Sequence, residues 1–108
     1  MLFNDLFWLV ALHFIVDFQL QSDFVAANKV PGRYFGWPWV LTAHAAAHGA
    51  AVALVLNPFF GLAEFVLHWL IDYSKSKGGF GQGARSMLID QLLHLGLKVL
   101  WLGLSLIL

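Results

Sequence analysis

Most of the ionisable residues within the apolar stretches of this sequence occur in pairs that are four positions apart. The pairs are His13 and Asp17, His44 and His48, His68 and Asp72, and Asp90 and His94. A separation of four places both side chains of a pair on one face of a helix, one turn apart. Imidazole and carboxylate groups bind divalent metal ions and also relay protons. The spacing therefore predicts helices that each present a single chemically active face.

Together, the eight paired residues predict a metal centre. The five histidines of the chain and the three paired aspartates supply nitrogen and oxygen ligands that suit Zn, with Mn or Fe as alternatives. Eight ligands exceed one tetrahedral site, so we expect two metal ions that share carboxylates. A bound divalent ion lowers the pKa of water and makes it a nucleophile, which indicates metal-dependent hydrolysis.

Two glutamines accompany these ligands in the sequence. Gln21 follows His13 by two helical turns, and Gln91 comes directly after Asp90. Amide side chains next to metal ligands hold those ligands or a substrate in position. We therefore assign the catalytic roles to five residues: Asp17, Asp72, Asp90, Gln21 and Gln91.

The composition requires that the helices carrying these residues lie in lipid. The chain has 108 residues, of which 60% are hydrophobic and 11% charged, and its mean hydropathy is +0.76. Soluble domains carry about a quarter charged residues, so a soluble globular enzyme is excluded. The net charge is zero, which gives no field that would attract nucleic acid. The lack of cysteine excludes disulfides and thiolate metal sites.

Four apolar blocks predict four transmembrane helices in an all-α fold. A bilayer span needs about 20 residues, and helices satisfy every backbone polar group within lipid. Asn57 and Pro58 form the start signal of the third helix, as N-cap and first helical residue. The predicted helices cover residues 2–20, 39–56, 57–73 and 86–108.

The cations in the connections predict which side of the membrane each loop occupies. All loop cations fall within residues 23–38 and 75–85, and the tight turn at Asn57 has none. The two charged connections lie on the same side of four antiparallel helices. The positive-inside rule makes that side cytoplasmic and leaves both termini outside. Three cations ring the predicted entrance and offer a site for an anionic or phosphate-bearing amphiphile: Lys75, Lys77 and Arg85.

The paired residues also share a depth in the membrane. Counted from the loop ends of their helices, the three aspartates lie about 7.5 Å in and three of the histidines about 13.5 Å in. His44 and His48 bracket the histidine level. An ionised aspartate within a bilayer costs on the order of 2.5–3.5 kcal/mol. Three of them at one depth therefore need a shared positive partner.

The sequence contains an internal duplication. The segment from His13 to Phe18 matches the segment from His68 to Tyr73 as histidine, aromatic, two aliphatics, aspartate, aromatic. We expect one domain over residues 1–108 that is built from two helical hairpins, residues 1–56 and 57–108. A pseudo-two-fold axis along the membrane normal would relate them, as in the parallel repeats of some transporters.

Layers of histidine and aspartate also fit a proton or metal-ion transporter or channel. Such a path needs polar residues through to the far side. In the second repeat, Glu64 and Lys98 lie one turn beyond the histidines, and we predict that they form a structural ion pair. The equivalent positions in the first repeat are Leu9 and Val52, so the polar stripe closes before it crosses the membrane. This favours a one-sided pocket.

Three ordered motifs span essentially the whole chain. They are His13-x3-Asp17-Phe18-x-Leu20-Gln21 with a following Lys29, then His44 and His68-x3-Asp72-x2-Lys75, and finally Asp90-Gln91-x2-His94. They resemble those of a family of small bacterial and phage integral membrane proteins catalogued as domain of unknown function 3307. The resemblance implies a protein of the bacterial inner membrane with these residues as its functional centre, and it carries no established activity. The wider comparison with membrane-embedded metal-dependent hydrolases is an analogy.

Two further hypotheses remain open on the sequence alone. The polar residues are also compatible with a membrane interaction protein, because membrane helices use polar side chains to hold together. Four helices barely enclose a site for eight ligands, so a homodimer is compatible with the sequence as well.

Overall fold

The computed structural model of this protein describes residues 2–108, and the regular secondary structure of this part of the chain is entirely helical. Helix α1 continues directly into a single π-helical turn. The elements are α1 (Leu2–Phe14), the π turn (Ile15–Gln19), α2 (Asp23–Asn28), α3 (Trp37–Val55), α4 (Pro58–Ser76) and α5 (Gly83–Ser105).

Each apolar block of the sequence forms one long helix. The largest differences from the predicted bounds are three residues, as at the start of α5, predicted at residue 86 and found at Gly83. The predicted start of α4 is confirmed, because the Asn57 Oδ1 atom accepts a hydrogen bond from the Phe60 N–H at 3.1 Å and Pro58 is the first helical residue. The hydrophobic pattern therefore predicted the positions of all four long helices.

Two local features, the short helix α2 and the π turn, were not predicted from the sequence. Residues 23–38, expected to be a loop, contain the short helix α2, which Ser22 caps by accepting a hydrogen bond from the Val25 N–H at 3.2 Å. In the π turn, the N–H of Leu20 donates to the Ile15 carbonyl at 2.8 Å, five residues back instead of four. The π turn carries Asp17, and such turns often occur at functional sites.

The long helices form an antiparallel bundle. In space they are ordered α1, α3, α4 and α5, with α5 returning to pack against α1. The tightest contact is between α3 and α4, where a Cβ atom on Gly49 would lie only 2.7 Å from the Gly61 carbonyl oxygen. Further along this pair, the Trp69 Nε1–H donates to Thr42 Oγ1 at 3.1 Å. The two glycines thus allow the α3 and α4 backbones to approach each other closely.

Three of the helices are long and apolar enough to span a membrane: Leu2–Gln19, Trp37–Val55 and Gly83–Ser105. Helix α4 is as long as α3, at 19 residues, but carries Glu64, Asp72 and Lys75. Large apolar side chains cover the outside of the bundle, whereas its interior is rich in ionisable groups. This arrangement, together with the three apolar helices, indicates a membrane protein.

The interior of the bundle has two halves of different character. An apolar cluster of Leu9, Val52, Phe60, Trp101 and Leu102 fills the half near the α3–α4 turn. The histidines and aspartates occupy the half nearer to α2 and the α4–α5 connection. The helices thus enclose a polar site at one end and an apolar core at the other.

Candidate metal centre

All eight paired residues lie inside the bundle. None of them is more than 8% exposed, and the side chains come from all four long helices. The five imidazoles form one continuous cluster, in which the His48 and His68 rings stack with centroids 3.7 Å apart and the His68 and His94 rings lie 4.1 Å apart. The spacing of four residues thus turned every pair towards a common centre.

A first group of potential ligands surrounds Asp17. The Asp17 Oδ1 atom lies 3.4 Å from His44 Nε2 and 3.3 Å from His48 Nε2. His68 also offers an atom, so that four ligand atoms lie within 4.8 Å of one another. Ligands at about 2.0–2.2 Å from a tetrahedral zinc ion are roughly 3.3–3.5 Å apart. The measured nitrogen–oxygen distances therefore match those of ligands that share one ion.

A second group consists of Asp72, Asp90 and His94. The His94 Nε2 atom lies 3.3 Å from Asp72 Oδ1 and 3.1 Å from Asp90 Oδ1. One ligand atom from each residue falls within 4.8 Å of the others. With two carboxylates and one imidazole, this group has the ligand types that Zn, Mn and Fe accept.

Asp72 faces both groups. Its Oδ2 atom lies 3.3 Å from His44 Nε2 and 3.4 Å from His68 Nε2, while its Oδ1 atom faces His94. The two oxygens of one carboxylate thus point to two adjacent sets of nitrogens. This geometry is that of a carboxylate able to bridge two metal ions.

Several of the facing atoms make no hydrogen bond. Among the described residues, the Nε2 atoms of His44, His48 and His68 and the Oδ1 atom of Asp90 are buried without a hydrogen-bond partner. A buried polar atom left unpaired costs about 1–3 kcal/mol, and such atoms are rare in folded proteins. Buried nitrogen and oxygen atoms that converge in this way fit a cation between them.

Glu64 holds His68 in the orientation that this geometry needs. The His68 Nδ1–H donates to Glu64 Oε2 at 3.1 Å, and the Nε2 atom on the other side of the ring faces Asp72. Lys98 Nζ pairs with Glu64 Oε1 at 3.0 Å, and the Trp101 Nε1–H donates to the same oxygen at 2.9 Å. Glu64 and Lys98 pair as their equal depth predicted. The sequence did not indicate that the pair reaches His68.

Glu64 also belongs to a third, overlapping group of close ligand atoms with His68 and His94. Its carboxylate already has Lys98, Trp101 and His68 as partners. A carboxylate that accepts from a metal-binding imidazole orients that ligand and raises its basicity. Glu64 is therefore better placed to support His68 than to bind an ion itself.

Gln91 connects the carboxylates of α1 and α5. Its side-chain N–H₂ group donates to Asp17 Oδ2 at 3.0 Å and to Asp90 Oδ2 at 3.1 Å. Its Oε1 atom accepts from His13 Nε2 at 2.9 Å. Gln91 thus leaves the Oδ1 atoms of both aspartates facing the histidines, and it occupies the Nε2 atom of His13 with a hydrogen bond. His13 lies in neither ligand group of the described residues.

Two lysines close the site on the side of α2. Lys29 Nζ lies 3.2 Å from Asp72 Oδ2, and Lys75 Nζ lies 3.2 Å from Asp90 Oδ2. Of the three cations expected at the entrance, only Lys75 contacts a site carboxylate within the described residues; Lys77 lies over the Tyr73 ring and Arg85 is exposed. The second lysine at the carboxylates is Lys29, which was not among the three expected cations. Its only sequence signal is its position in the first motif of the family resemblance.

The family model for a protein of unknown function (DUF3307) matches residues 6–106. The chain belongs to the DUF3307 family. The matched segment includes all of the paired histidines and aspartates, both glutamines and the three buried or half-buried lysines. No curated protein and no solved structure matches the chain.

A polar cleft leads to the ligands of this DUF3307 protein. A cavity of about 110 Å³ lies against Asp17, Asp72 and Asp90. It adjoins a wider one of about 310 Å³ next to α2. Both are lined by Gln21, Lys29, Asp72 and Lys75. The predicted residue Gln21 thus lies in the cleft, and its Oε1 atom is buried without a hydrogen-bond partner among the described residues.

The charges of the site leave room for cations. Four buried carboxylates face three ammonium groups, those of Lys29, Lys75 and Lys98. With neutral histidines, the site carries one net negative charge. One divalent ion makes it +1 and two make it +3, so a centre with two ions also requires a bound anion. The charge of the DUF3307 site is therefore compatible with bound cations together with an anion.

Proposed function

We propose that this protein is a membrane-embedded metal-dependent hydrolase with a dinuclear centre. The observation that carries the proposal is the convergence of unpaired Nε2 atoms on carboxylate oxygens at 3.3–3.4 Å. A structural polar core would use these atoms in hydrogen bonds to each other. Nitrogen and oxygen atoms that face each other at this distance without a hydrogen bond are instead the arrangement expected of a metal-ligand set.

In the proposed centre, each group of ligands would hold one ion, and Asp72 would contribute a carboxylate oxygen to each. Zn is the preferred ion, and Mn and Fe are alternatives that the same ligand types accept. A divalent ion held there supplies Lewis acidity and lowers the pKa of coordinated water. Residues of the chain orient the ligands and bind the substrate. Gln91 orients the carboxylates of Asp17 and Asp90, Glu64 orients His68, and the two cleft lysines neutralise an anionic substrate.

The proposed topology has four transmembrane helices, with α4 as the fourth. Its polar face is turned into the bundle, where Glu64, His68 and Asp72 are buried. In each proposed repeat the two helices pack on each other, α1 on α3 and α4 on α5, and the two repeats meet in the closest contact, that of α3 with α4. The positive-inside rule then makes α2 and the α4–α5 connection cytoplasmic, so the cleft opens towards the cytoplasm of the bacterial cell.

Proton or metal-ion transport is the second candidate, and the continuous imidazole cluster favours it. Adjacent rings lie within 5.6 Å of each other from His13 to His94, which suits a proton relay. Against a path through the membrane, the polar interior ends at the Glu64–Lys98 pair, and beyond it lies the apolar cluster around Leu9 and Phe60. A one-sided site agrees better with this closure.

The proposal is tested by the metal content of the detergent-purified protein. We expect stoichiometric divalent metal in the wild type and a loss of at least half of it in His48→Gln, since His48 belongs to the Asp17 group. His13→Gln is the matched control: it changes an equally buried histidine on the same cluster but outside both ligand groups, and it should retain the metal.

A wild type without metal after growth in supplemented medium would refute the hydrolase proposal. Proton flux through liposomes that persists after chelation would then support the transport candidate. Equal loss of thermal stability in both variants, with neither metal nor flux, would support a structural polar core.

A further inference from the structure

A groove with mostly apolar walls lies next to the proposed metal centre, because His44 is one of its lining residues. It lies between the π turn, α2 and α3 and has a volume of about 150 Å³. Its walls are mostly apolar and include Val16, Leu20, Val25 and Ala47. Such a channel of apolar side chains, open on the outside of a membrane protein, accepts hydrocarbon.

The inner end of the groove is polar and belongs to the site. His44 lines the groove, and its Nε2 atom lies 3.3–3.4 Å from Asp72 and Asp17. Gln21 lines the groove and both cavities of the polar cleft. Gln21 therefore borders both the groove and the cleft, and its buried Oε1 atom has no hydrogen-bond partner among the described residues.

The cleft beyond Gln21 suits a phosphate group. Lys29 and Lys75 are half-buried there, with side chains 17% and 35% exposed, and each ammonium group rests on a carboxylate oxygen of a proposed metal ligand. Each ammonium group carries three N–H donors, and within the described residues it donates to one carboxylate oxygen, so donors remain for an anion in the cleft. Lysine is a common phosphate ligand in proteins, and the positive charge of the metal-loaded site calls for an anion of one to three charges.

We infer that the substrate is a lipid phosphate, with its phosphate between Lys29 and Lys75 and the adjoining part of one hydrocarbon chain in the groove at Ala47. The inference rests on the proposed function and names its substrate class. The groove is smaller than the roughly 300–1,000 Å³ of pockets for drug-sized ligands, so the rest of the chain lies in the bilayer.

The corresponding reaction is hydrolysis of a phosphate ester or anhydride. The water oxygen forms a bond to phosphorus, and the bond from phosphorus to the leaving oxygen breaks with its electron pair on that oxygen. The leaving oxygen takes up the proton that the water loses, so that water is the only co-reactant. The products are inorganic phosphate and a lipid alcohol, or a lipid phosphate where the substrate is a diphosphate.

Native mass spectrometry of the detergent-purified chain tests where the lipid binds. The probes are dodecyl phosphate, inorganic phosphate and dodecanol, each added at the same concentration. We expect one dodecyl phosphate per chain and little retention of the other two, because head group and chain contribute together. Lys29→Gln should lower the bound fraction of dodecyl phosphate at least tenfold.

A pair of variants on α3 isolates the groove from the rest of the site. Ala47→Phe fills the groove and should lower dodecyl phosphate binding at least tenfold. Ala46→Phe makes the same change at the next residue, which lines the separate groove between α3 and α4, and should bind like the wild type.

Metal content measured in the same samples separates the two proposals. Retention of dodecanol equal to that of dodecyl phosphate, or unchanged binding in Ala47→Phe, would overturn the lipid phosphate inference even in a metal-loaded protein. A purified wild type without metal would instead refute the hydrolase proposal, whichever of the probes it binds.

Discussion

Glu64 is fully buried and has three polar partners, namely His68, Lys98 and Trp101. Its equivalent in the first proposed repeat is Leu9, and the equivalent of Lys98 is Val52; both are buried in the apolar cluster. The same place in the fold is thus apolar in one repeat and charged in the other. Because an apolar pair fills this place without difficulty, the charged pair is explained by its contact with His68.

Replacing Glu64 with leucine should affect stability and metal affinity differently. The single variant leaves the buried Lys98 charge uncompensated, and we expect a loss of about 3–5 kcal/mol in the free energy of unfolding. The double variant Glu64→Leu/Lys98→Met restores most of that stability, because an apolar pair of similar volume replaces a buried ion pair with little cost.

Both variants lack the acceptor of the His68 Nδ1–H, so metal should bind about 10–100-fold more weakly in each. Thermal unfolding and metal titration of the same preparations measure the two effects. Metal affinity at the wild-type level in the double variant would show that the pair is only structural.

At the scale of elements, the α3–α4 contact determines which ligands can share an ion. His44 and His48 come from α3, whereas His68 and Asp72 come from α4. The distance of 3.3 Å between His44 Nε2 and Asp72 Oδ2 depends on how closely the two helices approach. That approach depends on glycine, because a Cβ atom on Gly61 would lie 2.6 Å from Ala53 Cβ and 2.7 Å from the Gly49 carbonyl oxygen.

Gly61→Ala should therefore weaken both the fold and the metal centre. The added methyl group would collide with the backbone of Gly49 and the short side chain of Ala53, so the two helices must move apart. We therefore expect a lower Tm and a clear drop in metal affinity. Gly96→Ala is the matched control, since a Cβ atom at this interior helical position meets nothing within 4 Å. Alanine is the better helix former by about 0.5–1 kcal/mol, so this variant should keep or raise the Tm. Equal behaviour of the two variants would contradict the role given to the close contact.

At the scale of the whole molecule, polarity is inverted relative to a soluble protein. Phe3, Trp39 and Leu54 are more than 80% exposed, while Lys98 is 1% exposed. A single chain encloses all eight paired residues, so the enclosure of the site requires no second copy. The membrane is the solvent that fits such an exterior, and the remaining question of topology concerns α4.

Cysteine labelling decides whether α4 crosses the membrane. The chain contains no cysteine, so single cysteines at Phe59 and Lys77 report the two ends of this helix without background. With intact cells and a membrane-impermeant maleimide, we expect labelling of Phe59→Cys from outside and of Lys77→Cys only after the inner face is opened. Labelling of both from the same side would contradict the four-helix topology and the predicted sidedness.

The long helices could be predicted because their signal is local. The apolar blocks are continuous, and the start signal at Asn57 and Pro58 works through a hydrogen bond to a residue three positions away. Helix α2 has only six residues, too few to be stable without its packing on α3. The π turn was not predicted either, because an ordinary α-helix would satisfy the backbone hydrogen bonds of the same segment. Both of these features border the site.

The types and spacing of the eight paired residues determined that each long helix turns a face of histidine or aspartate inward, since residues four apart share a helix face wherever the helix lies. Tertiary structure alone decided the partners across helices. It places Asp72 between both groups of nitrogens and brings His13 into contact with Gln91. It also places Lys29 next to Asp72, at the entrance where Lys77 and Arg85 were expected. The physical reason is that helical periodicity specifies a direction around one axis. Distances between side chains on different helices follow from how closely those axes pack.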